Sequence, residues 1–197
     1  MMNKVRIKNN SHVVLWAILA VTLLFLTSCK MFEPREAEEP KGVVVWNHFP
    51  ITPYQTFENL EVIYNYSDNI DRYQSILTDD FSFYFDTQDV QDYHLPTLWD
   101  KDNEVEMRGM INSEMELTMS CIVEKRDVIH SDTAVLYRNY RLSFNSGRSN
   151  THFEGDMALY MVREGDGFWR IERWDDFRSN EHITWGRLKY EYVPQKN

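Results

Sequence analysis

The feature that most restricts how this chain can fold is a series of four segments, all in its C-terminal half, in which apolar and polar residues alternate. They cover residues 114–125, 133–144, 151–163 and 168–177. Turn-type sequences rich in Asn, Asp, Ser and Gly separate the last three of them. An alternation with a period of two is typical of strands with one buried face, and short turns join antiparallel neighbours. We therefore expect four consecutive strands in an antiparallel sheet.

The residues before these segments follow the period of a helix. Thr52 can cap a helix that has Pro53 at its first position and ends near Ser67. The predicted elements that follow are, in order, helix 70–77, strand 81–86, loop 88–100 and helix 102–112. The last of these helices should turn Val105 and Met110 inward. This order predicts an α+β domain, in which N-terminal helices pack on a strongly curved antiparallel sheet.

The first 28 residues have the layout of a secretory signal. Lys4, Arg6 and Lys8 form a basic region without acids, and an apolar run of 14 residues follows at 13–26. A membrane span needs about 20 apolar residues, so this run is short for one. We expect the segment to be cleaved.

Residues 26–29, which read Leu-Thr-Ser-Cys, resemble the bacterial lipobox, in which Leu and two small residues precede an invariant Cys. The resemblance implies that cleavage falls between Ser28 and Cys29, that Cys29 carries a diacylglycerol thioether, and that the new amino terminus is acylated. Two or more acyl chains tether a protein stably to a membrane. Lys30 is not the Asp that the general Gram-negative rule associates with inner-membrane retention, which favours an outer-membrane location in a double-membrane bacterium. The alternative is an uncleaved signal anchor with Cys29 as an incidental thiol.

These signals divide the chain into four parts. The predicted parts are a signal peptide at 1–28, a lipidated Cys with an acidic tether and arm at 29–50, an α+β domain at 51–178 and a C-terminal extension at 179–197. The tether holds two Pro and four Glu between residues 32 and 41 and should stay solvated. The extension has no clear period, and we expect it to be partly ordered.

The composition excludes several classes of function. The formal net charge is −10, and loss of the signal, with three basic residues and no acid, makes it −13. Nucleic-acid binding needs clustered Lys and Arg, so we expect no nucleic-acid partner. The seven Gly form neither a dinucleotide fingerprint nor a P-loop, and the six His include no pair at i, i+4 spacing. We therefore expect neither a cofactor nor a metal.

The second cysteine is predicted to be structural. Cys121 shares an alternate face with Leu117 and Met119. Once Cys29 carries lipid, the mature chain offers Cys121 no disulfide partner. We expect Cys121 to be a buried apolar residue.

Several motifs in the domain are spaced as in a known superfamily. They are Glu58-Asn-Leu60, Asp71-Arg-Tyr73, Leu77-Thr-Asp-Asp-Phe81 and the hairpin from Tyr160 to Ile171. With the order of elements, they resemble the nuclear transport factor 2-like superfamily, a cone-shaped α+β fold shared by ketosteroid isomerases, dehydratases and many non-catalytic proteins. The resemblance covers roughly residues 52–177. It implies the fold much more directly than an activity.

Catalytic members of that superfamily place an acid or a His inside the cone, which makes Asp86, His94 and Asp175 the candidates here. Each has a structural alternative. Asp86 suits a turn at the end of a strand, and His94 suits a loop. Asp175 could pair with Arg173 or Arg170.

Aromatic residues make up 14% of the chain and suit either a core or the lining of a pocket for an apolar ligand. The candidates for such a lining are Trp99, Tyr137, Tyr140 and Trp169.

Three functions stay open at this point. The favoured one is a non-catalytic module, anchored through its lipid, that binds a small apolar ligand or an envelope protein. The others are a small isomerase, dehydratase or hydrolase, and a homodimeric subunit of an envelope complex. A cone packed shut with Phe83, Met119 and Leu159 would favour a module that acts through its surface.

Overall fold

The computed structural model describes residues 45–66, 69–114, 116–145, 150–179 and 183–192. The predicted signal peptide, Cys29 and the tether up to residue 44 lie outside these ranges, so cleavage and lipidation stay predictions. No helix within the ranges is long and apolar enough to cross a membrane.

The described part of the chain contains five helices and seven strands. The helices are α1 (Pro53–Tyr66), α2 (Ile70–Ser75), α3 (Thr87–Tyr93), α4 (Lys101–Glu114) and α5 (Trp185–Tyr192). The strands are β1 (Leu77–Tyr84), β2 (Leu98–Asp100), β3 (Glu116–Val123), β4 (Val128–Ile129), β5 (Thr133–Asn145), β6 (Asn150–Arg163) and β7 (Trp169–Arg178).

The strands form one sheet in the order β2-β1-β7-β6-β5-β3, with β4 beside β5. β3, β5, β6 and β7 pair antiparallel, as the alternating pattern predicts. β1 lies beside β7 in parallel, so the sheet is mixed and not purely antiparallel. A short turn makes two strands antiparallel only when they are consecutive in the chain. β1 and β7 are far apart in the chain, so no short turn sets their direction. The predicted α+β class is confirmed.

The helices pack on one face of the sheet and form the core with it. Phe83 and Leu159 are fully buried there, and Met119 is 4% exposed. Thr56 of α1 donates a hydrogen bond of 2.8 Å to the carbonyl oxygen of Trp169 and so fixes α1 to β7. Cys121 is half-buried against this core and does not lie within it.

The segment predicted as a loop at 88–100 contains α3 and β2. Asp86 caps α3, since its Oδ1 accepts hydrogen bonds from the backbone N–H groups of Gln88 and Asp89, at 2.8 and 3.1 Å. β2 pairs with β1 and places Trp99 opposite Phe83. The only buried side chain of α3 is the charged Asp89, so α3 has no apolar period that sequence analysis could detect.

The inward face of α4 is also different from the predicted one. Val105 and Met110 are only partly buried. The buried side chains of α4 include Glu104, Met107, Arg108 and Ile111. Their spacing of i, i+3, i+4 and i+7 defines one helix face. Two of these four residues are charged. The apolar pattern of the sequence therefore predicted a different inward face, that of Val105 and Met110.

The C-terminal segment belongs to the domain, contrary to the predicted extension. Residues 183–192 include α5, whose Trp185 and Lys189 are fully buried. Thr184 caps α5, because its Oγ1 accepts a hydrogen bond of 3.1 Å from the Arg187 N–H. The inward face of α5 carries a lysine, so its sequence shows no apolar period.

Candidate functional site

Asp86 and His94 have structural positions at the two ends of α3. Besides capping α3, Asp86 accepts a hydrogen bond of 3.1 Å from the backbone N–H of Arg178 through Oδ2. His94 ends α3 in the left-handed conformation, with a φ of 57°, and its side chain is exposed. Asp86 and His94 therefore fit the structural roles predicted for them, a turn and a loop, better than a catalytic position inside the cone.

Asp175 and Tyr137 lie on the face of the sheet that points away from the helices, which we call the outer face. Cross-strand pairing places Tyr84, Asp175, Ala158 and Tyr137 in one row on this face. Arg173 lies in the next row and donates two hydrogen bonds to Asp175, at 2.5 and 2.8 Å. The predicted ion pair with Arg173 is therefore present.

A cation is held between two aromatic rings on the outer face. The Arg173 guanidinium lies 4.0 Å from the ring centre of Tyr84 and 5.0 Å from that of Tyr160. Tyr137 adds a third ring, with the Lys125 ammonium 4.2 Å from its centre. Cation–π contacts of this kind restrain both partners.

The other aromatic candidates lie in the core. Trp99, Tyr140 and Trp169 are at most 5% exposed. Trp99 and Tyr140 each bind a buried carboxylate, that of Glu104 for Trp99 and that of Asp176 for Tyr140. The structure thus joins two predicted residues to two acids that the sequence analysis did not select.

Glu104 and Lys189 form the centre of an interior cluster that also contains Tyr73 and Trp99. Lys189 Nζ lies 2.6 Å from Glu104 Oε1, and both side chains are fully buried. Trp99 Nε1 donates to Glu104 Oε2 at 2.9 Å, and the Tyr73 hydroxyl donates to Oε1. The carboxylate therefore receives a donor from each of three elements besides its own helix.

The Lys189 ammonium is surrounded by aromatic rings as well. It lies 3.7 Å from the ring centre of Phe83, 4.3 Å from that of Trp174 and 5.4 Å from that of Trp185. Burial lowers the pKa of Lys189 to about 8, although the neighbouring Glu104 carboxylate acts in the opposite direction. Burial penalises the charged form, and the rings and the carboxylate compensate only in part.

Asp176 is a second buried acid, and it holds the start of α5. Its Oδ1 accepts a hydrogen bond of 2.6 Å from the Tyr140 hydroxyl, and its Oδ2 accepts one of 2.6 Å from the Gly186 N–H. The Tyr140 hydroxyl in turn accepts from the Trp185 N–H at 2.8 Å. Burial raises the pKa of Asp176 to about 7 and exceeds the effect of these donors. Tyr140 and Asp176 thus replace intrahelical acceptors for the first N–H groups of α5.

Arg108 brings a further cation into the core. Its guanidinium lies 4.4 Å from the ring centre of Tyr64, and its Nη2 donates to the carbonyl oxygen of Ile63 at 3.0 Å. Among the described residues, its Nε and Nη1 have no hydrogen-bond partner. Buried donors of this kind commonly bind ordered water.

One of the two interior acids could have been found from the sequence. Asp176 follows Trp174 by two residues, so a strand reading places both on one face. Glu104 and Lys189 carry no such signal, because a charged residue on a helix is normally assigned to the solvent side.

Two adjoining clefts lie on the surface beside Ser75 and Arg170. The larger has a volume of about 390 Å³ and the smaller of about 220 Å³. Cations of the larger cleft already pair with carboxylates: Lys101 Nζ lies 3.1 Å from Asp79, and Arg170 pairs with Asp166 at 2.7 Å. Within the ranges given above, no three His, Cys, Asp or Glu side chains are grouped so that they could hold a metal ion.

No protein-family model and no curated protein matches this chain. Solved structures do match it. A conserved protein from Planctomyces limnophilus aligns with a TM-score of 0.55 at 14% identity, over 66% of this chain and 93% of that one. A protein of unknown function from Mycobacterium tuberculosis aligns with a TM-score of 0.51 at 12% identity, over 64% and 69% of the two chains.

A nuclear transport factor 2-like protein from Cytophaga hutchinsonii aligns with a TM-score of 0.50 at 12% identity, over 64% of this chain and 94% of that one. Similarity at this level of identity establishes the fold and leaves the activity open. The domain therefore has the nuclear transport factor 2-like fold that its motifs implied.

Proposed function

We propose that this chain, with its nuclear transport factor 2-like fold, is a lipid-anchored module of the bacterial cell envelope that binds a protein partner through its outer face and acts without catalysis. The observation that carries this proposal is the position of α5. Its Trp185 and Lys189 side chains are fully buried and occupy the interior, where an enzyme of this fold would hold its substrate.

The hydrogen bonds of the interior acids also favour a structural role. Glu104 accepts from Lys189, Tyr73 and Trp99. A general base must reach the proton that it abstracts, at about 2.6–3.2 Å from a bound substrate. Glu104 is fully buried, and its carboxylate accepts these three hydrogen bonds from its own chain. This arrangement suits a structural role better than a catalytic one.

The outer face has the chemistry of a recognition surface. Tyr, Trp and Arg are the residues that contribute most to protein interfaces. Tyr84, Tyr160 and Arg173 provide Tyr and Arg in adjacent rows, and Arg173 is already held by the two rings and by Asp175. A side chain that is ordered before binding loses less conformational entropy when the partner arrives.

The anchor would bring this surface to partners at the membrane. Val45, the first described residue, lies sixteen positions after Cys29. An extended chain spans at most about 3.3–3.6 Å per residue, so this tether could reach about 55 Å from the lipid. The net negative charge would keep the domain away from anionic headgroups.

Site-specific photo-crosslinking in living cells tests the proposal. p-Benzoylphenylalanine at position 160 keeps an aromatic ring on the outer face, and the same residue at position 102 probes the exposed start of α4. We expect a discrete adduct with one protein from position 160 and none from position 102. We also expect Arg173→Glu to abolish the adduct, because it replaces the central cation with an anion.

Two results would contradict the proposal. One is an equal adduct pattern from positions 160 and 102, since it would mean that contacts are random. The other is an adduct from position 160 that Arg173→Glu leaves unchanged while the protein stays folded.

A further inference from the structure

The environment of the Lys189 ammonium has the composition of a receptor for organic ammonium ions. Aromatic faces and a carboxylate are the groups that recognise such cations, through cation–π attraction and charge-assisted hydrogen bonds. Phe83 and Trp174 supply faces at 3.7 and 4.3 Å, and Glu104 supplies an acceptor at 2.6 Å. The occupant of this receptor is a side chain of the same protein.

Nearly all of the receptor is independent of the helix that fills it. Phe83 belongs to β1, Trp174 to β7 and Glu104 to α4, whereas Lys189 belongs to α5. Glu104 is held in place by Trp99 of β2 and Tyr73 of α2. The carboxylate and two of the three rings would therefore keep their positions if α5 lost its lysine.

Stability alone does not account for a lysine at this position. Removing an ammonium ion from water costs several kcal/mol, and apolar pairs of similar volume are often at least as stable as a buried ion pair. Lys189 and Glu104 are both fully buried, so neither charge is exposed to water. What the pair provides, and an apolar pair would not, is selectivity for an ammonium group.

We propose that the interior of this domain is a binding site for a primary alkylammonium group, that Lys189 fills it as a tethered ligand, and that an alkylammonium ion competes with Lys189 for it. The site takes an unbranched chain, because Lys189 enters through four methylene groups. Its present occupant is a primary ammonium, and the contact with Glu104 needs an N–H donor, which a quaternary ammonium ion lacks. This site is separate from the outer face and does not depend on a protein partner.

The test uses the full chain with Lys189→Ala, which deletes three methylene groups and the ammonium. n-Propylammonium has the atoms that are lost, and 1-propanol is its neutral counterpart. We expect n-propylammonium to bind the variant saturably with one ion per protein in calorimetry and to raise its melting temperature. We expect 1-propanol to bind at least about tenfold more weakly. The wild-type protein should not respond at the same concentrations, because its tethered lysine has a high effective concentration.

Two further variants make the result specific to this site. Adding Glu104→Gln to Lys189→Ala should weaken n-propylammonium binding at least about tenfold. Lys189→Met fills the same space with an apolar chain and should show no response to the amine. If Lys189→Ala does not fold alone, refolding in n-propylammonium but not in 1-propanol supports the proposal.

The proposal is overturned if neither compound binds or restores the fold of Lys189→Ala. It is also overturned if 1-propanol binds as well as the amine, or if Lys189→Met responds as strongly as Lys189→Ala. None of these outcomes affects crosslinking at position 160, so the two proposals can fail separately.

Discussion

Lys189 on α5 and Glu104 on α4 form an ion pair, 2.6 Å between Nζ and Oε1, in which both side chains are fully buried. The pair joins the last described helix to the helix that precedes β3. Each charge depends on the other, because an unpaired charge in this position would be excluded from water without compensation. We therefore expect the loss of either charge to destabilise the domain and the packing of α5.

The first prediction concerns the energetic coupling of this pair. We expect Lys189→Met and Glu104→Gln each to lower the free energy of unfolding by about 3–5 kcal/mol, as for other broken buried pairs. The double variant should lose less than the sum of the two, because it leaves no unpaired charge. Urea denaturation of the four proteins measures this coupling.

An ion pair with an exposed carboxylate provides the control. Lys101 Nζ lies 3.1 Å from Asp79, whose side chain is fully exposed. Lys101→Met and Asp79→Asn should show a coupling below about 1 kcal/mol, the range of surface ion pairs. Strictly additive losses for Lys189 and Glu104 would mean that the buried pair is not coupled.

The second prediction concerns the pH dependence of stability. The pKa of Lys189 is about 8 in the folded protein, against an ordinary value of 10.5. Between these two values the unfolded chain binds more protons than the folded one at this position, so the contribution of Lys189 to stability rises with pH. Glu104 and Arg108 of α4 and Asp176 of β7 are the charged groups that act on Lys189.

Urea denaturation at pH 8.5 and pH 9.5 measures this contribution above the pKa of Asp176, which is about 7. The free energy of unfolding of the wild type should rise between these values relative to that of Lys189→Met, which has no group to titrate. A wild type that changes no more than Lys189→Met would show that the pKa of Lys189 is not lowered.

Local signals account for the part of the fold that the sequence predicts. The alternation of β3, β5, β6 and β7 depends only on neighbouring residues, and so does the Thr52-Pro53 start of α1. The sequence reading failed where a charged residue faces the core. Glu104 and Lys189 are 85 residues apart, and each is acceptable inside only because the other is there.

The candidate site was predicted only in part, again because charged residues face the core. Trp99 and Tyr140 were selected for their aromatic rings, and they do line the interior. Their partners Glu104 and Asp176 were not selected, because carboxylates are assigned to the surface unless a motif or a strand face places them inside. Tyr137 and Tyr140 are both aromatic candidates of β5, but residues three apart on a strand point to opposite faces, and the helices pack on the face of Tyr140.

The third prediction concerns the close approach of β6 to the hydroxyl of Tyr140. A Cβ atom added at Gly155 would lie 2.6 Å from Tyr140 Cζ and 2.9 Å from the carbonyl oxygen of Phe177. Tyr140 cannot move freely, because it bonds Asp176 and the start of α5. We expect Gly155→Ala to lower the free energy of unfolding by about 1–3 kcal/mol, the usual effect of overpacking a core.

Gly109 is the matched control for this substitution. A Cβ atom at Gly109 meets nothing within 4 Å, and the residue lies inside α4. Gly109→Ala should raise the free energy of unfolding by up to about 1 kcal/mol, because alanine favours a helix. Equal effects of the two substitutions in thermal unfolding would contradict the packing argument.

The fourth prediction tests the structural role of Asp86. Asp86 caps α3 through Oδ1, at 2.8 Å from the Gln88 nitrogen. Asp86→Ala should lower the free energy of unfolding by about 0.5–2 kcal/mol, whereas Asp86→Asn keeps an acceptor and should lose less than half of that. Both should retain the crosslink from position 160 while folded. Loss of the crosslink in Asp86→Asn at unchanged stability would show that the charge itself is needed.

The last prediction concerns the anchor. If Cys29 carries the lipid, Cys29→Ser removes the thioether, and the protein should move from the membrane fraction to the soluble fraction or stay as the uncleaved precursor. Cys121→Ser is the matched control and should leave the protein in the membrane fraction. Burial raises the pKa of Cys121 to about 12, so this thiol stays protonated and is a poor nucleophile for any modification.

Labelling with radioactive palmitate and the intact mass of the mature chain distinguish the two origins of membrane association. Because acylation follows lipidation of the same residue, label should appear in the wild type and in Cys121→Ser and be absent from Cys29→Ser. A wild-type mass that corresponds to the full chain without lipid would mean that residues 13–26 act as an uncleaved anchor.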